Sequence, residues 1–599
     1  MKLSLFACAI LCFSFSFAQL SVRNNAYVFV SDEVLFVNDD VNLEESTAKI
    51  YLRDESQLIQ GTGTTGNSGL GELSVYQTGT ANQWSYNYWC SPVGNTSLAN
   101  GNEDARVALL NDVIDLENST PALFTTGYDG SASPLTISTR WLWTYQTSSL
   151  YSDWFFVGDA GAIAPGLGFT MKGNGTGVSN NQEYDFRGKP NNGTMSNPIA
   201  VGEFTLVGNP YPSAIDSAAF IHDADNVNEI VGTLFYWEQA GYINSHYVAD
   251  YIGGYHEFTI NAAGTIVSNT FAQFETYNSQ GISTGIPPGP PGGTKQARRY
   301  IPIGQGFMVE GQAGATTNTV SVKNTHRVFE KIGTDSYFFR SSNTNDNNAT
   351  ETTPNTGIQY QENGLSIVPN DYKRFRLNVD FSVNEAQYTR QLLLNFHDTA
   401  TFGHDRGLEL HRSQNLSSDA YFEQENDVYS GLAYPFAQEL TIPFVIDIEE
   451  QQPLRFRIFD VQNFDESQGI YIHDNENDTY INLRNVDYEL NIEPGNYTNR
   501  FEIVFTTNST LGIEDFEATS LTIRQNNDNN ELSVLNPNAL DIKTIEIFDV
   551  AGKRIYNLPY NAVSELYSVS TAAISDGVYV VKVTTNSSTV KSQKIIVKN

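Results

Sequence analysis

Apolar and polar residues alternate along short stretches of this chain, and turn-forming residues separate the stretches. The alternation is strict from Arg374 to Val383. Every second residue of this stretch is apolar, namely Phe375, Leu377, Val379, Phe381 and Val383. A period of two residues places these side chains in a core and the intervening polar ones on the opposite face, namely Arg374, Arg376, Asn378, Asp380 and Ser382. The pattern predicts a strand with one buried face.

Strand-forming residues dominate nearly the whole chain. Tyr, Phe, Val, Ile and Thr recur in short runs between clusters of Asn and Asp and a total of 46 glycines. Only residues 104–116 have a helical character, and their apolar spacing is loose. The sequence therefore predicts an all-β protein built from several β-sandwich or other β-rich units, with a small immunoglobulin-like sandwich at the C-terminus.

The chain is too long for one domain, because 599 residues exceed what a single hydrophobic core supports. Residues 341–356 are small, polar and poor in apolar side chains, as in a linker. A second junction lies at residues 508–517. We expect a signal peptide and three mature regions, namely residues 1–18, 19–340, 357–507 and 518–599.

The region 19–340 contains a weak internal repeat, in which three short motifs recur in the same order. The first motif surrounds Pro92 and Pro210. The second and third pairs are Leu142–Tyr145 with Leu234–Trp237, and Gly166–Phe169 with Gly304–Phe307. The repeat predicts two related β-rich units that pack together.

Charge excludes two classes of partner. The chain has 34 Lys and Arg against 68 Asp and Glu, a net charge of −34. Such a polyanion repels nucleic acid and anionic lipid, so we expect neither as a partner. The last eighty residues are nearly balanced in charge, which suggests that they have a separate role.

The N-terminus reads as a signal peptide. Lys2 precedes an apolar run that ends at Phe17, and Ser16 and Ala18 supply the small residues of a cleavage site before Gln19. The run is too short to span a bilayer, and we expect no transmembrane segment in the mature chain. We predict export with cleavage between Ala18 and Gln19.

Cysteine usage agrees with a mature chain that has no internal disulfide. Cys8 and Cys12 lie inside the predicted signal peptide, so Cys90 is the one cysteine that remains after cleavage. A lipoprotein cysteine at Cys8 would leave an apolar segment too short to direct export. Stability must then come from cores, ions or partners.

The last region contains three strand patterns, at residues 544–550, 577–584 and 592–598. Ala551, Gly552 and Lys553 follow the first pattern and predict a tight hairpin, since glycine tolerates the positive φ that such turns require. We expect a small antiparallel sandwich with exposed lysines on its last strand.

These residues resemble the type A C-terminal sorting domain of proteins exported by the type IX secretion system of Bacteroidetes. The similarity lies in IEIFDVAGK, SDGVYVVKV and the closing KIIVK, with a lead-in at residues 511–515. One departure is that Asn536-Pro537 comes later than in the family. The residues expected to carry sorting are Gly552, Lys553, Gly577, Tyr579, Lys594 and Lys598. An ordinary immunoglobulin-like module is the alternative.

The resemblance implies a route and a set of partners. The chain would reach the periplasm and be recognised by the type IX translocon and sorting machinery. It would then be secreted or anchored on the outer-membrane surface. Residues 51–94 and 206–216 also resemble flavobacterial surface proteins of unknown function, which implies no catalytic residues.

Two glycine motifs suggest chemistry but lack the required context. Residues 61–66 fit GxGxxG, yet a strand pattern rather than a helix follows them, so we expect a glycine-rich hairpin loop. Residues 281–285 fit GxSxG, yet Pro287 and Pro288 disfavour the helix that a nucleophile elbow needs. Neither motif predicts an active site.

Metal and sugar sites are weaker candidates. His397, His404 and His411 could bind a metal only if the loop between them turned back sharply. Residues 474–478 (DNEND) offer oxygen ligands but fail the EF-hand pattern, so calcium is kept only as a candidate ion, and no cofactor is otherwise expected. The tryptophans could form a sugar-binding face, although core positions are commoner, namely Trp84, Trp89, Trp141, Trp143, Trp154 and Trp237.

We therefore expect a secreted or surface-displayed protein that is not an enzyme and that acts in adhesion, in binding of a glycan or other surface ligand, or in the cell envelope. A secreted carbohydrate-active enzyme and a pure glycan-binding module are the alternatives. The enzyme requires two carboxylates about 5 to 10 Å apart in a cleft.

Overall fold

Strands dominate the chain in a computed structural model, which confirms the all-β prediction. The structure describes residues 19–61, 63–174, 182–288, 292–341, 357–383, 386–425, 427–507, 521–527, 529–536, 539–560, 562–586 and 590–598. The chain divides into two compact units, Met1–Phe505 and Thr506–Asn599. Among the described residues there is one short α-helix, α1 (Ser217–Ile221), and Asp216 caps its N-terminus by accepting a hydrogen bond from the Ala218 amide. None of the described helices is long and apolar enough to cross a membrane.

The first unit begins with a succession of short strands that stack in parallel as coils. These strands are β1 (Leu20–Val22), β2 (Tyr27–Ser31), β3 (Val34–Val37), β4 (Val41–Leu43), β5 (Lys49–Arg53), β6 (Gln57–Gln60) and β7 (Glu72–Thr78). Strand β1 pairs with β4, β2 with β5, β3 with β6, and β5 with β7, all in parallel. Leu20 lies beside Val41 and Tyr27 beside Lys49, so one coil takes a little over twenty residues. This arrangement is a short parallel β-helix.

The first repeated part follows the coils. Its strands are β8 (Tyr86–Cys90), β9 (Val93–Gly94), β10 (Leu110–Val113), β11 (Ser119–Pro121), β12 (Leu123–Thr125), β13 (Ser131–Ala132), β14 (Leu135–Ser138), β15 (Trp143–Thr144), β16 (Phe155–Phe156), β17 (Gly168–Lys172) and β18 (Glu183–Pro190). The helical character of residues 104–116 is not realised. A single 3-10 turn, Val107–Leu109, leads directly into β10, and β10 pairs with β11 and β18.

The second repeated part contains β19 (Met195–Pro198), β20 (Phe204–Gly208), β21 (Ala214–Asp216), β22 (Ile230–Gln239), β23 (Ile252–Thr259), β24 (Ser268–Thr270), β25 (Glu275–Thr276), β26 (Lys295–Gln296), β27 (Tyr300–Ile301), β28 (Gly306–Gly311), β29 (Thr319–Val322), β30 (Arg327–Val328) and β31 (Arg340–Ser341). Strands β20, β28 and β22 are neighbours in one sheet, as β8, β17 and β15 are in another. The order of strands is therefore the same in both repeated parts.

The registers of the two parts agree residue by residue. Cys90 pairs with Gly168, and at the equivalent positions Gly208 pairs with Gly306. The parts also contact each other reciprocally, because the Cys90 amide donates to the Gly304 carbonyl and the Gly208 amide to the Gly166 carbonyl. A Cβ on Gly208 would lie 2.5 Å from the Cβ of Cys90, so this close approach requires glycine. The sequence repeat thus forms a pair of related sheets joined about an approximate two-fold axis.

Most of the described part of residues 357–505 forms one large sheet around a core. Its strands, after the hairpin β32 (Gln359–Tyr360) and β33 (Ser366–Ile367), are β34 (Lys373–Val383), β35 (Ala386–Phe396), β36 (Leu410–His411), β37 (Asp419–Gln424), β38 (Asp427–Tyr434), β39 (Thr441–Ile448), β40 (Gln452–Gln462), β41 (Tyr471–Asp474), β42 (Thr479–Asn482), β43 (Tyr488–Ile492) and β44 (Gly495–Val504). Phe375, Leu377, Val379 and Phe381 are at most 1% exposed, as the alternation predicts.

The polar face of β34 is not uniformly open to solvent. Arg374 and Arg376 are fully buried against the second repeated part. The Arg374 guanidinium donates to the carbonyl of Val267, and that of Arg376 donates to the carbonyl of Asn269. The expected boundary at residues 341–356 therefore falls inside one compact unit, although residues 342–356 themselves lie outside the described part of the chain.

The second unit contains two antiparallel sheets. Its strands are β45 (Thr522–Asn526), β46 (Glu531–Leu535), β47 (Ile542–Asp549), β48 (Arg554–Pro559), β49 (Leu566–Ser570), β50 (Gly577–Thr585) and β51 (Val590–Val597). One sheet has the order β45, β46, β49 and the other β48, β47, β50, β51. Their core includes Leu532, Val534, Ile545, Ile547 and Val581, none of which is exposed. The expected small sandwich is thus present.

Candidate functional site

The expected hairpin joins β47 to β48 in the C-terminal unit. Gly552 has a φ of 79°, and its amide donates to the Asp549 carbonyl over 3.0 Å. The Asp549 amide donates in turn to the Lys553 carbonyl, which closes the turn and leaves Lys553 exposed. Since a side chain at a positive φ is strained, this position favours glycine for a physical reason.

The other sorting candidates lie on β50 and β51. Gly577 pairs with Val597 and Tyr579 with Ile595. The Tyr579 ring is buried in the core of the unit, and its hydroxyl donates to the Ser575 carbonyl over 2.9 Å. Lys594 and Lys598 remain exposed on β51 and just after it. Tyr579 therefore anchors the strand that supports the lysines.

The structure brings all of these residues to one end of the four-stranded sheet. Asp549, at the start of the hairpin, pairs with Tyr579, and Tyr579 pairs with Ile595 on β51. We call this end the C-terminal face, and we define it by Gly552, Lys553, Gly577, Lys594 and Lys598. Tyr579 supports it from the core of the unit. Its three exposed lysines suit recognition by an acidic or polar partner surface.

Asn536 is a further structural residue of this unit. It is fully buried, and its side-chain amide donates to the carbonyls of Leu540 and Ser564. The Asn536 side-chain oxygen accepts from the Leu540 amide, so the residue closes the loop after β46. Pro537, the lead-in at residues 511–515, and Ala18 with the rest of the signal peptide lie outside the described residues, whereas Gln19 is exposed at their start.

A polar cleft of about 360 Å³ lies in the first unit. The second repeated part forms one side of it, and the polar side chains of the neighbouring strands β34, β35 and β40 form the other. Amides, hydroxyls and aromatic rings line most of it. These are Asn378, Gln387, Gln391, Gln273, Thr270, Thr389, Ser430, Tyr255, Tyr388, Phe271 and Phe459. A neighbouring depression of about 400 Å³ shares Asp380, Gln387 and Arg455 with it. Together they form a groove of a size that suits a small ligand.

The carboxylates of the cleft are engaged by neighbouring groups. Glu257 accepts hydrogen bonds from the amide and hydroxyl of Ser413, each over 2.8 Å, and from the Ser430 hydroxyl. Arg457 donates to both oxygens of Asp380. Burial would raise the pKa of Asp380, but the hydrogen bonds from Arg457 and Thr389 outweigh it and hold the pKa below its usual value. Asp380 therefore stays ionised, which suits binding better than proton transfer.

The described residues 63–66 of the glycine-rich motif lie around a carboxylate of the chain itself. The amides of Thr64 and Thr65 donate to Asp40, and a Cβ on Gly63 would lie 2.1 Å from an Asp40 oxygen. The loop is a turn of the β-helix that leads to β7, not a hairpin. The loop amides that could bind a phosphate donate to Asp40 instead. The described residues that follow the loop form no helix that could support phosphate binding.

Ser283 of the GxSxG motif lies in an exposed loop. Its hydroxyl donates to Glu275, and burial raises the pKa of that carboxyl above its usual value. Glu275 also accepts from the side chain of Gln414. The Ser283 hydroxyl bonds to Glu275 and to the Gly285 amide and to no histidine of the described residues, which therefore form no catalytic triad at this position.

The three histidines do not converge. His397 contacts Asp371 and stacks on Tyr372, whereas His404 contacts Glu409 and lies near His411. Burial lowers the pKa of His411 to about 3, so this imidazole is neutral. In the described part of the chain, no group of three or more His, Cys, Asp or Glu side chains is arranged to hold a metal ion.

The acidic run at residues 474–478 is neutralised internally. Arg500 donates to both oxygens of Asp474, each over 2.9 Å, and forms an ion pair with Glu476. The Tyr488 hydroxyl donates to the same carboxylate over 2.8 Å. The oxygens of Asp474 therefore already accept hydrogen bonds from protein donors, which disfavours Asp474 as a calcium ligand.

The tryptophans contribute more to packing than to an open surface. Trp89 is 1% exposed in the core of the first unit. Trp84 and Trp141 contact the His246 ring, and the Lys172 ammonium lies 4.1 Å from the Trp141 ring. Burial lowers the pKa of Lys172 to about 7. Trp143, Trp154 and Trp237 are half-buried.

Comparisons with known proteins place the chain in a family. Residues 124–505 match the family described as a domain of unknown function (DUF8693), and residues 511–597 match a second one (DUF8694). Since the first match spans more than half of the chain, the protein belongs to the DUF8693 family. No curated protein matches it.

Two solved structures show weak similarity. A central fibronectin-III array of RIM-binding protein is 7% identical and has a TM-score of 0.12, covering 40% of this chain and 96% of its own. The BSP domain of a biofilm-associated protein is 7% identical with a TM-score of 0.11, covering 88% and 96%. TM-scores of this size carry no argument about fold or function.

Proposed function

We propose that this protein is exported to the cell surface or medium, where it acts by binding rather than catalysis, and that its C-terminal unit is the sorting signal for the type IX secretion machinery. The observation that carries this proposal is the C-terminal unit itself. It has its own core, a separate family match, and one sheet end at which the six candidate residues lie. A module of this kind can be recognised while the rest of the chain folds independently.

Removing residues 518–599 should leave the protein in the periplasm. The experiment expresses the truncated chain in a bacterium that has the type IX machinery and follows it by fractionation and by digestion of intact cells with protease. The full-length chain should be digested or found in the medium, and the truncated chain should be protected. Surface exposure of the truncated chain would refute the proposal.

A paired substitution localises the signal within the unit. Lys594→Ala with Lys598→Ala alters the C-terminal face. Lys543→Ala with Lys591→Ala changes lysines near the other end of the same sheet, where Ile542 pairs with Thr585. We expect the first pair to reduce surface display at least several-fold and the second to leave it unchanged. Equal behaviour of the two pairs would exclude this face as the contact.

We also propose that the polar cleft binds the ligand and that the ligand is a neutral glycan. Amide and hydroxyl groups can donate to and accept from sugar hydroxyls, and exposed aromatic rings can pack on the apolar side of a sugar. Phe459 is 41% exposed at the cleft. The engaged carboxylates favour binding over hydrolysis.

A glycan array probed with the mature chain tests the cleft. Phe459→Ala and Gln387→Ala should each weaken binding by about tenfold, or about 1.4 kcal/mol. Phe402→Ala removes a ring that is 67% exposed but does not line the cleft, and should have no effect. Equal binding by all variants would contradict the assignment, and release of reducing sugars would favour the carbohydrate-active enzyme instead.

A further inference from the structure

The first coil of the β-helix has an open edge. Among the described residues, β1 pairs only with β4, β2 only with β5, and β3 only with β6. The three strands together thus present backbone donors and acceptors along one whole end of the helix. Stacked repeats of this kind require a cap at each end, because each repeat buries its apolar face on its neighbours.

The side chains inside the first coil are also incompletely covered. Leu52, Leu58 and Val75 of the later coils are at most 2% exposed, and they fill the interior of the helix. In the first coil, Val22 and Val37 are buried in the same core, whereas Leu20, Val28, Val30 and Leu35 are only partly buried against it. A further layer on the open end would complete their burial, and burial of such side chains is favourable by about 25 cal/mol per Å².

The open edge lacks the features that normally prevent association. Natural edge strands are protected by charges, prolines or bulges. Strands β1, β2 and β3 read LSV, YVFVS and VLFV and contain no charged residue and no proline. Tyr27 is 54% exposed and Phe36 62% exposed beside the edge. This surface therefore favours pairing with another strand.

Export limits what can cover the edge. If the signal peptide is removed after Ala18, as the proposed function requires, only Gln19 precedes β1, so the preceding chain cannot form a cap. A second copy of the chain carries the same uncharged edge. When two copies meet about a two-fold axis, β2 lies antiparallel to its counterpart and each first coil caps the other.

We propose that the mature protein is a dimer in which two β-helices stack end to end through β1, β2 and β3. The two-fold contact is closed, so assembly stops at two copies. The dimer would double the number of polar clefts presented at the cell surface, and weak binding to each would gain from multivalency.

The test uses the mature chain, residues 19–599, prepared without passage through the secretion machinery so that its outcome is independent of the sorting proposal. Analytical ultracentrifugation at about 0.15 M salt, which screens the net negative charge beyond about 8 Å, should give twice the monomer mass at micromolar concentration. Val28→Lys places a charge at the partly buried edge position and should give monomers. Leu98→Lys, at a site that is 67% exposed elsewhere in the first unit, should leave the dimer intact.

A cross-linking measurement keeps the proposal testable if Val28→Lys fails to fold. Val28→Cys should form an intermolecular disulfide under mild oxidation, whereas Leu98→Cys should not, and the native Cys90 is buried. A wild-type chain that is monomeric at every concentration would overturn the proposal. So would a dimer that persists in folded Val28→Lys, or assemblies larger than two copies.

Discussion

Asp419→Asn is expected to lower the free energy of unfolding of the first unit by about 3 to 5 kcal/mol, the usual cost of breaking a buried ion pair. Asp419 is 2% exposed and accepts from Arg390 over 2.7 and 3.0 Å and from Arg412 over 2.9 Å. Burial alone would lower the pKa of Arg390, but Asp419 outweighs it and the pKa is raised. Without the carboxylate, two buried guanidiniums lose their common partner.

The measurement is urea unfolding of wild type and variant, and a matched substitution shows what an exposed pair contributes. Asp371→Asn removes a carboxylate whose side chain is 68% exposed and that contacts His397 over 3.2 Å. Exposed pairs contribute at most about 1 kcal/mol, so this variant should be nearly neutral. Because Arg390 lines the polar cleft, Asp419→Asn should also weaken ligand binding. Equal stability of the two variants would show that the buried network does not stabilise the unit.

Much of the fold follows from local pattern, and the rest depends on pairing partners that the pattern does not specify. The alternation from Arg374 to Val383 identifies the strand and its core side. It does not reveal that Arg374 and Arg376 are buried as well, because the residues that bury them lie about a hundred positions earlier in the chain. The pattern does not identify the β-helix for a similar reason, since short apolar runs look alike in parallel coils and in hairpins.

A spacing signal could have indicated the coils. Leu20, Tyr27 and Val34 each find their partner a little over twenty residues later, at Val41, Lys49 and Gln57. The weaker repeat of the next region is visible in the sequence because its glycines and aromatic residues occupy strand ends where substitution is costly. Gly208, with the Cβ of Cys90 so close, is one such position.

The two candidate sites differ in how far the sequence predicts them. The C-terminal face comes from neighbouring strands within eighty residues, so its members can be recognised from their own motifs. The polar cleft joins Tyr255 and Thr270 to Gln387 and Phe459. Such a site depends on how a distant sheet packs, and no local motif marks its residues.

The most direct test of the account asks whether the C-terminal unit is sufficient for sorting. Residues 506–599 are fused to a stable periplasmic reporter that carries its own signal peptide, in a bacterium with the type IX machinery. A matched fusion carries Gly552→Val and Tyr579→Ala, which strain the hairpin and remove the buried ring that supports β51. The readout is antibody labelling of intact cells together with reporter activity in the medium. The account predicts that the first fusion reaches the surface or medium and that the second stays inside. A folded first fusion that remains wholly in the periplasm would contradict it.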